Sequence, residues 1–528
     1  MAKSEKEIAA NLKKPCTLFD NAMYKHNAKQ LEFEQFSLPF NGGLRSDNRW
    51  IKIAKFIPWE EFEILYAKSL TGSQMGSPAL SVRIAIGALI IKERLGTSDE
   101  ETVEQIRENP YLQYFLGFKG YKDEAPFHPT MFVHFRKRIG KKTLTKINEA
   151  ITKKALAQAV KASEDKPRDD KNGDSESPVP VSKNKGKLLV DATCTPADIT
   201  FPTDLKMLNT AREKSEEVID ILHRPLKGKQ KKPRTYRKKA RKEFLSVAKS
   251  KKVSKSKRRK AIRKQLGYLR RNLKNIEKQS RKISLTNLTR RQYKNLLVMH
   301  EVYRQQKWMF DNRENKIADR IVSISQPHVR PIKRGKARAA TEFGAKISAS
   351  LVDGFAFVDR ISWDAYNEAG DLKEQIELYH NRFGFYPQSV HADKISRNRE
   401  NRKFCKELGI RLSGPALGRP PKQIDSQLQV QARQDELDRI PIEGKFGQAK
   451  RRFSLSKIMC KLAQTSETAI AVTFIVLNIE RWLKAILFYL FFRRESERCI
   501  GFWLRHFDLE KIIFSLRCIL QIPKSARS

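Results

Sequence analysis

The feature that most constrains this chain is a short apolar segment that is followed directly by an acid. Leu188 to Val190 form the segment, Asp191 follows it, and a polar, proline-containing turn comes next. A short apolar run bounded in this way is typical of a buried strand. We therefore expect a core strand that ends at Asp191, where a carboxylate is well placed to bind a metal ion.

The sequence on either side of this strand differs sharply from it in composition. Residues 163–187 are rich in Pro, Ser and Asp and have few apolar side chains, so they cannot bury themselves and are expected to form a flexible linker. Beyond the strand, Arg224 to Lys294 contain roughly 30 Lys and Arg against two acids, Glu243 and Glu277. Apolar residues keep a helical spacing there, which predicts a helical arm with one apolar seam, namely Ile262, Leu266, Leu269, Leu273 and Ile276.

The net charge of +47 indicates a polyanionic partner, because so many like charges would otherwise only repel one another. Nucleic acid is the leading partner and an anionic membrane surface is the weaker alternative.

The six cysteines form no C-x-x-C pair, so zinc-finger spacing is absent. The first residues lack a signal-peptide core. Charged residues interrupt the longest apolar stretch, 469–492, which is therefore expected to be a buried amphipathic helix rather than a membrane span. These features favour a cytoplasmic protein.

The N-terminal region has the spacing of several short helices joined at Gly and Pro. Ser77-Pro78 is a predicted helix start and Gly96 the corresponding stop, and further helices are predicted from Ser98 and from Pro129. A helix-turn-helix arrangement would place Arg136, Lys137 and Arg138 on DNA. The alternative is that this basic run only caps its helix and faces water.

The second half of the chain predicts a return to the sheet. Asp353-Gly354 lies between alternating apolar runs, as in a β-hairpin. A helix, a strand ending at Asp393, a further helix and strand, and a helix starting at Ile440-Pro441 follow. With the insertion set aside, this order is that of a mixed sheet flanked by helices, which is an α+β fold. Glu443 falls in the first turn of the last helix.

Three acids that are far apart in sequence, Asp191, Asp393 and Glu443, are thus expected at one place. Carboxylate oxygens are the ligands that hard divalent cations prefer. Three such acids can hold two metal ions about 4 Å apart, one activating an attacking oxygen and the other stabilising the leaving oxygen of a phosphodiester.

At these residues the chain resembles the DDE transposases of bacterial insertion sequences, of the insertion-sequence-five type with an InsH-like N-terminal domain. The matching segments cover about residues 35–160 and 187–490, and the motifs that carry the resemblance are Leu-Val-Asp191-Ala-Thr-Cys-Thr-Pro-Ala-Asp-Ile, Phe201-Pro-Thr-Asp-Leu, His391-Ala-Asp393-Lys with Arg399-Glu-Asn-Arg, and Pro441-Ile-Glu443-Gly-Lys-Phe-Gly-Gln-Ala-Lys450. The resemblance implies an RNase H-like domain in which Asp191, Asp393 and Glu443 are the catalytic and metal-binding residues.

The resemblance also implies cofactors and partners. It implies two Mg²⁺ ions, for which Mn²⁺ could substitute, and double-stranded DNA, both element ends and target. It further implies a homodimer or higher oligomer on that DNA, association with the bacterial nucleoid and no membrane. The DNA- and phosphate-binding residues expected are Lys450, Arg439, Lys394, Arg136 and Arg138.

Related transposases carry a Y-(2)-R-(3)-E-(6)-K signature, which Arg439, Glu443 and Lys450 satisfy. Glu436 stands at the Tyr position, so any role of that Tyr near the cleaved strand is not carried over. Seven residues are about two helical turns, which puts Glu443 and Lys450 on one face of a helix.

Other polar residues near these acids have simpler interpretations. Asp198 and Asp204 each follow a proline-containing turn rather than an apolar strand, and Asp204 is expected to cap a helix beginning at Leu205. His391 is expected to pack or hydrogen-bond rather than bind metal.

The predicted domain order is a helical DNA-binding domain at 1–162, a linker at 163–187, the first part of the RNase H-like domain at 188–210, a basic helical insertion at 211–340, the rest of the RNase H-like domain at 341–490, and a C-terminal extension at 491–528. The main functional hypothesis is transposition of an insertion sequence through binding of terminal inverted repeats, strand cleavage and 3′-hydroxyl strand transfer. Two alternatives stay open: a catalytically inactive DNA-binding derivative, and an RNase H-like nuclease without strand transfer.

Overall fold

The structure is a computed structural model that describes residues 32–39, 42–67, 78–164, 184–333, 341–414 and 426–506. Most of the predicted linker, Ser77 and the end of the C-terminal extension lie outside these residues. The described part is a mixed α+β protein, as predicted, with helices at the N-terminus, a six-stranded sheet and a helical insertion.

Six helices form the N-terminal region: α1 Arg49–Phe56, α2 Trp59–Ala67, α3 Val82–Leu95, α4 Asp99–Glu108, α5 Pro110–Phe115 and α6 Met131–Glu164, the last interrupted at Gly140 by a non-helical backbone. Gly96 adopts a left-handed conformation and ends α3, as predicted. The start of α3 differs from the prediction. The side chain of Ser81 accepts the amide of Ile84, so the helix begins at Val82 and Pro78 precedes it.

The sheet contains β1 Lys187–Pro196, β2 Arg330–Lys333, β3 Thr341–Val352, β4 Phe355–Ser362, β5 Ser389–His391 and β6 Arg411–Leu412. Its order is β2-β3-β1-β5-β6, and β4 pairs with β3 as well. β1 is antiparallel to β3 and parallel to β5, which confirms the predicted RNase H-like mixed sheet. The β3–β4 hairpin turns at Asp353-Gly354, both with positive φ, as a two-residue loop of this kind requires.

Four helices accompany the later strands: α11 Leu372–Phe383, α12 Arg399–Glu407, α13 Ser426–Arg452 and α14 Ala463–His506. The last helix packs on α6, α3 and β4, so one apolar core joins the N-terminal helices to the sheet. Within that core Arg94 and Glu480 form a buried ion pair of 2.6 Å. None of the described helices is long and apolar enough to cross a lipid bilayer.

Helix α13 corrects one prediction. It begins at Ser426, and Pro441 lies inside it rather than at its start. A proline inside a helix leaves the carbonyl four residues earlier, that of Leu437, without its usual partner. Both residues are exposed, with Leu437 at 50%, so water can satisfy that carbonyl and the helix continues.

The insertion is a helical bundle with a core of its own, rather than an arm with one seam. Its helices are α7 Asp204–His223, α8 Arg237–Ala248, α9 Lys255–Ser280 and α10 Arg290–Asp311. The predicted seam packs against α7 and α10, burying Leu266, Leu269, Leu273 and Ile276. Thr203, not Asp204, caps α7, because its side chain accepts the amide of Lys206. Asp204 instead binds Arg320 at 2.6 Å.

Candidate active site

The register of two parallel strands brings the first two acids together. Leu189 of β1 is paired with His391 of β5, and each acid lies two residues further along its own segment. β1 does not end at Asp191, as was predicted, but continues to Pro196 because β3 pairs with it along that length. Asp393 follows the end of β5, where its Oδ1 accepts the amide of Lys394 at 2.7 Å.

Helix α13 supplies the third acid together with a cation. Arg439 and Glu443 are one turn apart on this helix, and Arg439 Nη2 donates to Glu443 Oε1 at 2.9 Å. Nη1 of the same guanidinium donates to Asp393 Oδ1 at 3.0 Å. The guanidinium therefore bridges two carboxylates from distant parts of the chain. Their side chains are 52% and 55% exposed, so the site is open to a large substrate.

The acids differ in their electrostatic surroundings. Burial raises the pKa of Asp191 to about 6, and the nearby charges of Glu368 and Glu443 add to this effect while Arg439 and the Ala192 amide oppose it. Burial also acts to raise the pKa of Asp393, but the Lys394 amide and Arg439 outweigh it, so that pKa is lowered. Arg439 and Glu443 are thus near enough to Asp191 for their charges to affect its pKa.

The donor set fits a hard divalent cation. Asp191, Asp393 and Glu443 offer carboxylate oxygens, which Mg²⁺ and Mn²⁺ accept as ligands. The guanidinium between Asp393 and Glu443 shows that a positive charge is accommodated between them. These residues could therefore hold metal ions in place of that ion-pair contact.

A buried polar cluster that the sequence did not reveal lies beside this site. Among the described residues, His391, Asp435 and Asp438 form a group whose ligand atoms all lie within 4.8 Å of one another. Asp435 is bound by both terminal nitrogens of Arg411 at 2.9 Å, and Asp438 by Lys187 at 2.6 Å. Since each carboxylate already has a cationic partner, the cluster acts as a clamp that holds α13 on β1, β5 and β6. Asp435 and Asp438 lie about two turns and one turn before Glu443 on the same helix. This spacing is the one feature of the sequence from which the cluster could have been predicted.

His391 itself is fully buried and hydrogen-bonded through Nε2 to the Ser389 hydroxyl at 3.1 Å. This is the hydrogen-bonding role that was predicted for it. Burial lowers its pKa, although the charges of Asp435 and Asp438 oppose the shift, so the ring is neutral at physiological pH.

The predicted DNA-binding cations are placed differently from one another. Lys394 and Arg138 are exposed, and Lys450 is partly buried two turns beyond Glu443. The prediction that Arg136 contacts DNA is wrong, because this residue is only 6% exposed and is bound to Asp99 at 2.6 Å. Arg136 lies on the face of its helix that packs against the protein interior. The sequence of basic residues alone did not show which of them would be on that face.

Asp198 and Asp204, which competed for the first ligand position, lie elsewhere. Asp198 pairs with Lys457 at 2.7 Å, and Asp204 belongs to the contact between α7 and Arg320. Neither carboxylate faces Arg439 in the described structure.

Sheet order and the three acids define a protein of the RNase H-like class with a carboxylate site at adjoining strands. Comparison with known families refines this class. A family described as "Transposase DDE domain" matches residues 390–480, and one described as "Transposase domain (DUF772)" matches residues 40–138. Two separate parts of the chain are thus similar to transposase domains, and these matches support a DDE-type transposase.

One curated relative is an uncharacterized protein, ORF8 in the nfe locus of Rhizobium meliloti. It is 30% identical over 157 residues, a region that covers 30% of this chain and 66% of the relative. The chain thus spans somewhat less than two thirds of the length of that relative. No solved structure matches the chain.

Proposed function

We propose that this transposase cuts DNA at the ends of its element with Asp191, Asp393 and Glu443, and joins the freed 3′-hydroxyl to target DNA. The observation that carries the proposal is that the Arg439 guanidinium binds both Asp393 and Glu443, while the charges of Arg439 and Glu443 also act on Asp191 of β1.

The chain's own residues prepare this chemistry. Asp393 and Glu443 are held about half exposed, where a phosphodiester can reach them. When bound, two Mg²⁺ ions would supply activation of the attacking oxygen and stabilisation of the leaving oxygen. Arg439 would then exchange its carboxylate partners for a phosphate of the cut strand, a ligand that its planar guanidinium suits.

Positive charge outside the site supports binding of the DNA. The net charge of +47 and the exposed Lys394 and Arg138 provide phosphate contacts, and Lys450 lies on the same helix as Glu443. The basic insertion extends this surface well beyond the acids. Since two element ends must be brought together, we propose a homodimer or higher oligomer on DNA as the active form.

The test is cleavage of a labelled duplex that carries an element end, with and without Mg²⁺. The end sequence is to be found by searching the DNA on either side of the reading frame for matching inverted repeats. Asp393→Asn is expected to lower cleavage by at least about 100-fold, in line with the loss of a group that stabilises transition-state charge. Asp198→Asn is the matched control, because it removes an acid near β1 that does not face the site, and it should cleave like the wild type.

Each outcome has a clear meaning. Full activity of Asp393→Asn would contradict the assigned site. Joined products exclude a nuclease without strand transfer, whereas salt-sensitive binding with no metal-dependent nicking would identify an inactive DNA-binding derivative. Chelation of divalent ions should abolish cleavage by the wild type and leave DNA binding in place.

A further inference from the structure

Helix α9 of the insertion has a glycine near its middle that packing does not explain. Gly267 is flanked by about three turns of helix on either side, where glycine is less favourable than alanine. No neighbouring atom lies within 4 Å of the place where its Cβ would be. Close approach of another part of this chain is therefore not the reason for the glycine, and the space above it is open.

Cations surround this open space. Residues three and four positions apart are neighbours on a helix surface. Arg263 and Lys264 lie one turn before Gly267, Arg270 and Arg271 lie one turn after it, and all four are exposed. Lys264, Arg270 and Arg271 line, with Gly267 and Tyr268, a concavity of about 290 Å³, which we call the Gly267 notch. Arg263 is on the helix turn before it.

Two of the cations are held in place by neighbouring groups. The Arg271 guanidinium lies 4.7 Å from the ring centroid of Tyr236 and 5.0 Å from that of Tyr268. Tyr236 has a φ of 53°, which is uncommon for a residue other than glycine. Lys264 is bound to Glu243 at 2.8 Å. Side chains fixed in this way lose less conformational freedom when a ligand binds.

The other cations have no acidic partner. Neither Arg263 nor Arg270 forms an ion pair with any residue that the structure describes. Glu243 is the one acid that contacts the notch, and it already binds Lys264 and the Tyr268 hydroxyl. Three cations line the notch beside a single acid and repel each other, and an anion placed above Gly267 would relieve that repulsion.

We propose that the Gly267 notch seats a backbone phosphate of duplex DNA, with the missing side chain allowing the phosphate to approach the helix backbone. This inference rests on the proposed function, because DNA is the polyanion that a transposase must hold. The notch offers positive charge and access to the helix backbone, which suit a phosphate oxygen, and a phosphate contact fixes the position of the insertion on DNA.

The test is a substitution that should favour the helix and impair binding. Gly267→Leu fills the notch with a good helix former, whereas Asn275→Leu introduces the same side chain about two turns further along α9 and serves as the control. Full-length proteins are titrated against a fluorescent 30-base-pair duplex over a range of salt concentrations, and their thermal unfolding is recorded in parallel.

Gly267→Leu is expected to weaken binding about three- to ten-fold and to reduce the slope of log affinity against log salt by about one, the value for one lost phosphate contact. Its unfolding temperature should equal or exceed that of the wild type, and Asn275→Leu should bind like the wild type. If Gly267→Leu bound DNA with the affinity and salt slope of the wild type, the inference that the notch holds a phosphate would be overturned, and the proposed function would be unaffected. Absence of salt-sensitive binding by the wild type would instead contradict the proposed function. A lower unfolding temperature for Gly267→Leu with normal binding would also overturn the inference.

Discussion

Replacing Asp191 by Asn should stabilise the folded protein near neutral pH while destroying its proposed activity. Burial raises the pKa of this carboxyl from 3.8 to about 6. The folded state therefore binds the proton more tightly than the unfolded state does. Stability is full below the unfolded pKa of 3.8 and is lost as the pH rises to about 6, because an ionised carboxylate then has to stay buried.

The size of the effect follows from the shift. At about 1.4 kcal/mol per pKa unit, a change from 3.8 to about 6 costs the wild type about 3 kcal/mol at pH 7. The cost at pH 5 is about half of that, because the folded-state carboxyl is then mostly protonated. Asn is neutral at every pH and similar in shape. Burying its amide has a cost of its own, so a net gain of about 1–3 kcal/mol at pH 7 is expected.

The assay is urea unfolding of wild type and Asp191→Asn at pH 5 and pH 7.5, in a chelator that removes divalent ions. Hydrogen exchange of the β1 amides would report on the strand itself. Asp393→Asn is the comparison, because its pKa is lowered and it loses an ion pair with Arg439 that is about half exposed. That variant should be destabilised by less than about 1 kcal/mol.

Two outcomes would refute the reasoning. One is destabilisation of Asp191→Asn at pH 7.5, and the other is an equal difference from the wild type at both pH values. Mg²⁺ provides a further check, since a ligand that binds only the folded state stabilises it by mass action. It should raise the stability of the wild type and have much less effect on Asp191→Asn.

Two further predictions concern stability and binding elsewhere. Arg136→Ala should destabilise the protein by about 1–3 kcal/mol, because it removes a partly buried 2.6 Å ion pair and leaves Asp99 with Lys92 at 3.1 Å as its cationic partner. Arg138→Ala should change the urea-unfolding free energy by less than about 1 kcal/mol but weaken DNA binding. The reverse pattern would contradict the burial of Arg136. Pro441→Ala should stabilise α13 by about 1–3 kcal/mol, because it restores an amide for the Leu437 carbonyl. A more than ten-fold fall in DNA cleavage by Pro441→Ala would show instead that the proline holds Glu443 in position.

Much of the fold could be predicted because its signals are local. The hairpin at Asp353-Gly354, the stop at Gly96 and the buried seam of α9 depend on residues close in sequence, and the structure confirms them. The ends of strands and helices could not be predicted where contacts with distant segments or with solvent decide them. β1 runs past Asp191 because β3 extends along it, and α13 passes through Pro441 because its exposed side meets water.

The candidate active site also combines features that local sequence predicted with features that depend on long-range contacts. The three acids could be proposed from apolar strands and a motif, since each signal lies within a few residues of the acid. The bridge made by Arg439 and the clamp formed by Asp435 and Asp438 depend on which segments meet in space. A run of basic residues in the sequence also shows the charge but not which side chains face solvent. This is why Arg136 was expected on DNA, whereas it lies in the interior.

By itself, the amino-acid sequence determined most of the secondary-structure elements, though not all of their boundaries, together with the excess of positive charge and the acids available for a metal site. Tertiary structure alone decided which of those charges face solvent, which pair with one another and which share a cation. The physical reason is that hydrophobic periodicity is a property of neighbouring residues, whereas burial and electrostatic pairing depend on distances between residues that the chain brings together only when it folds.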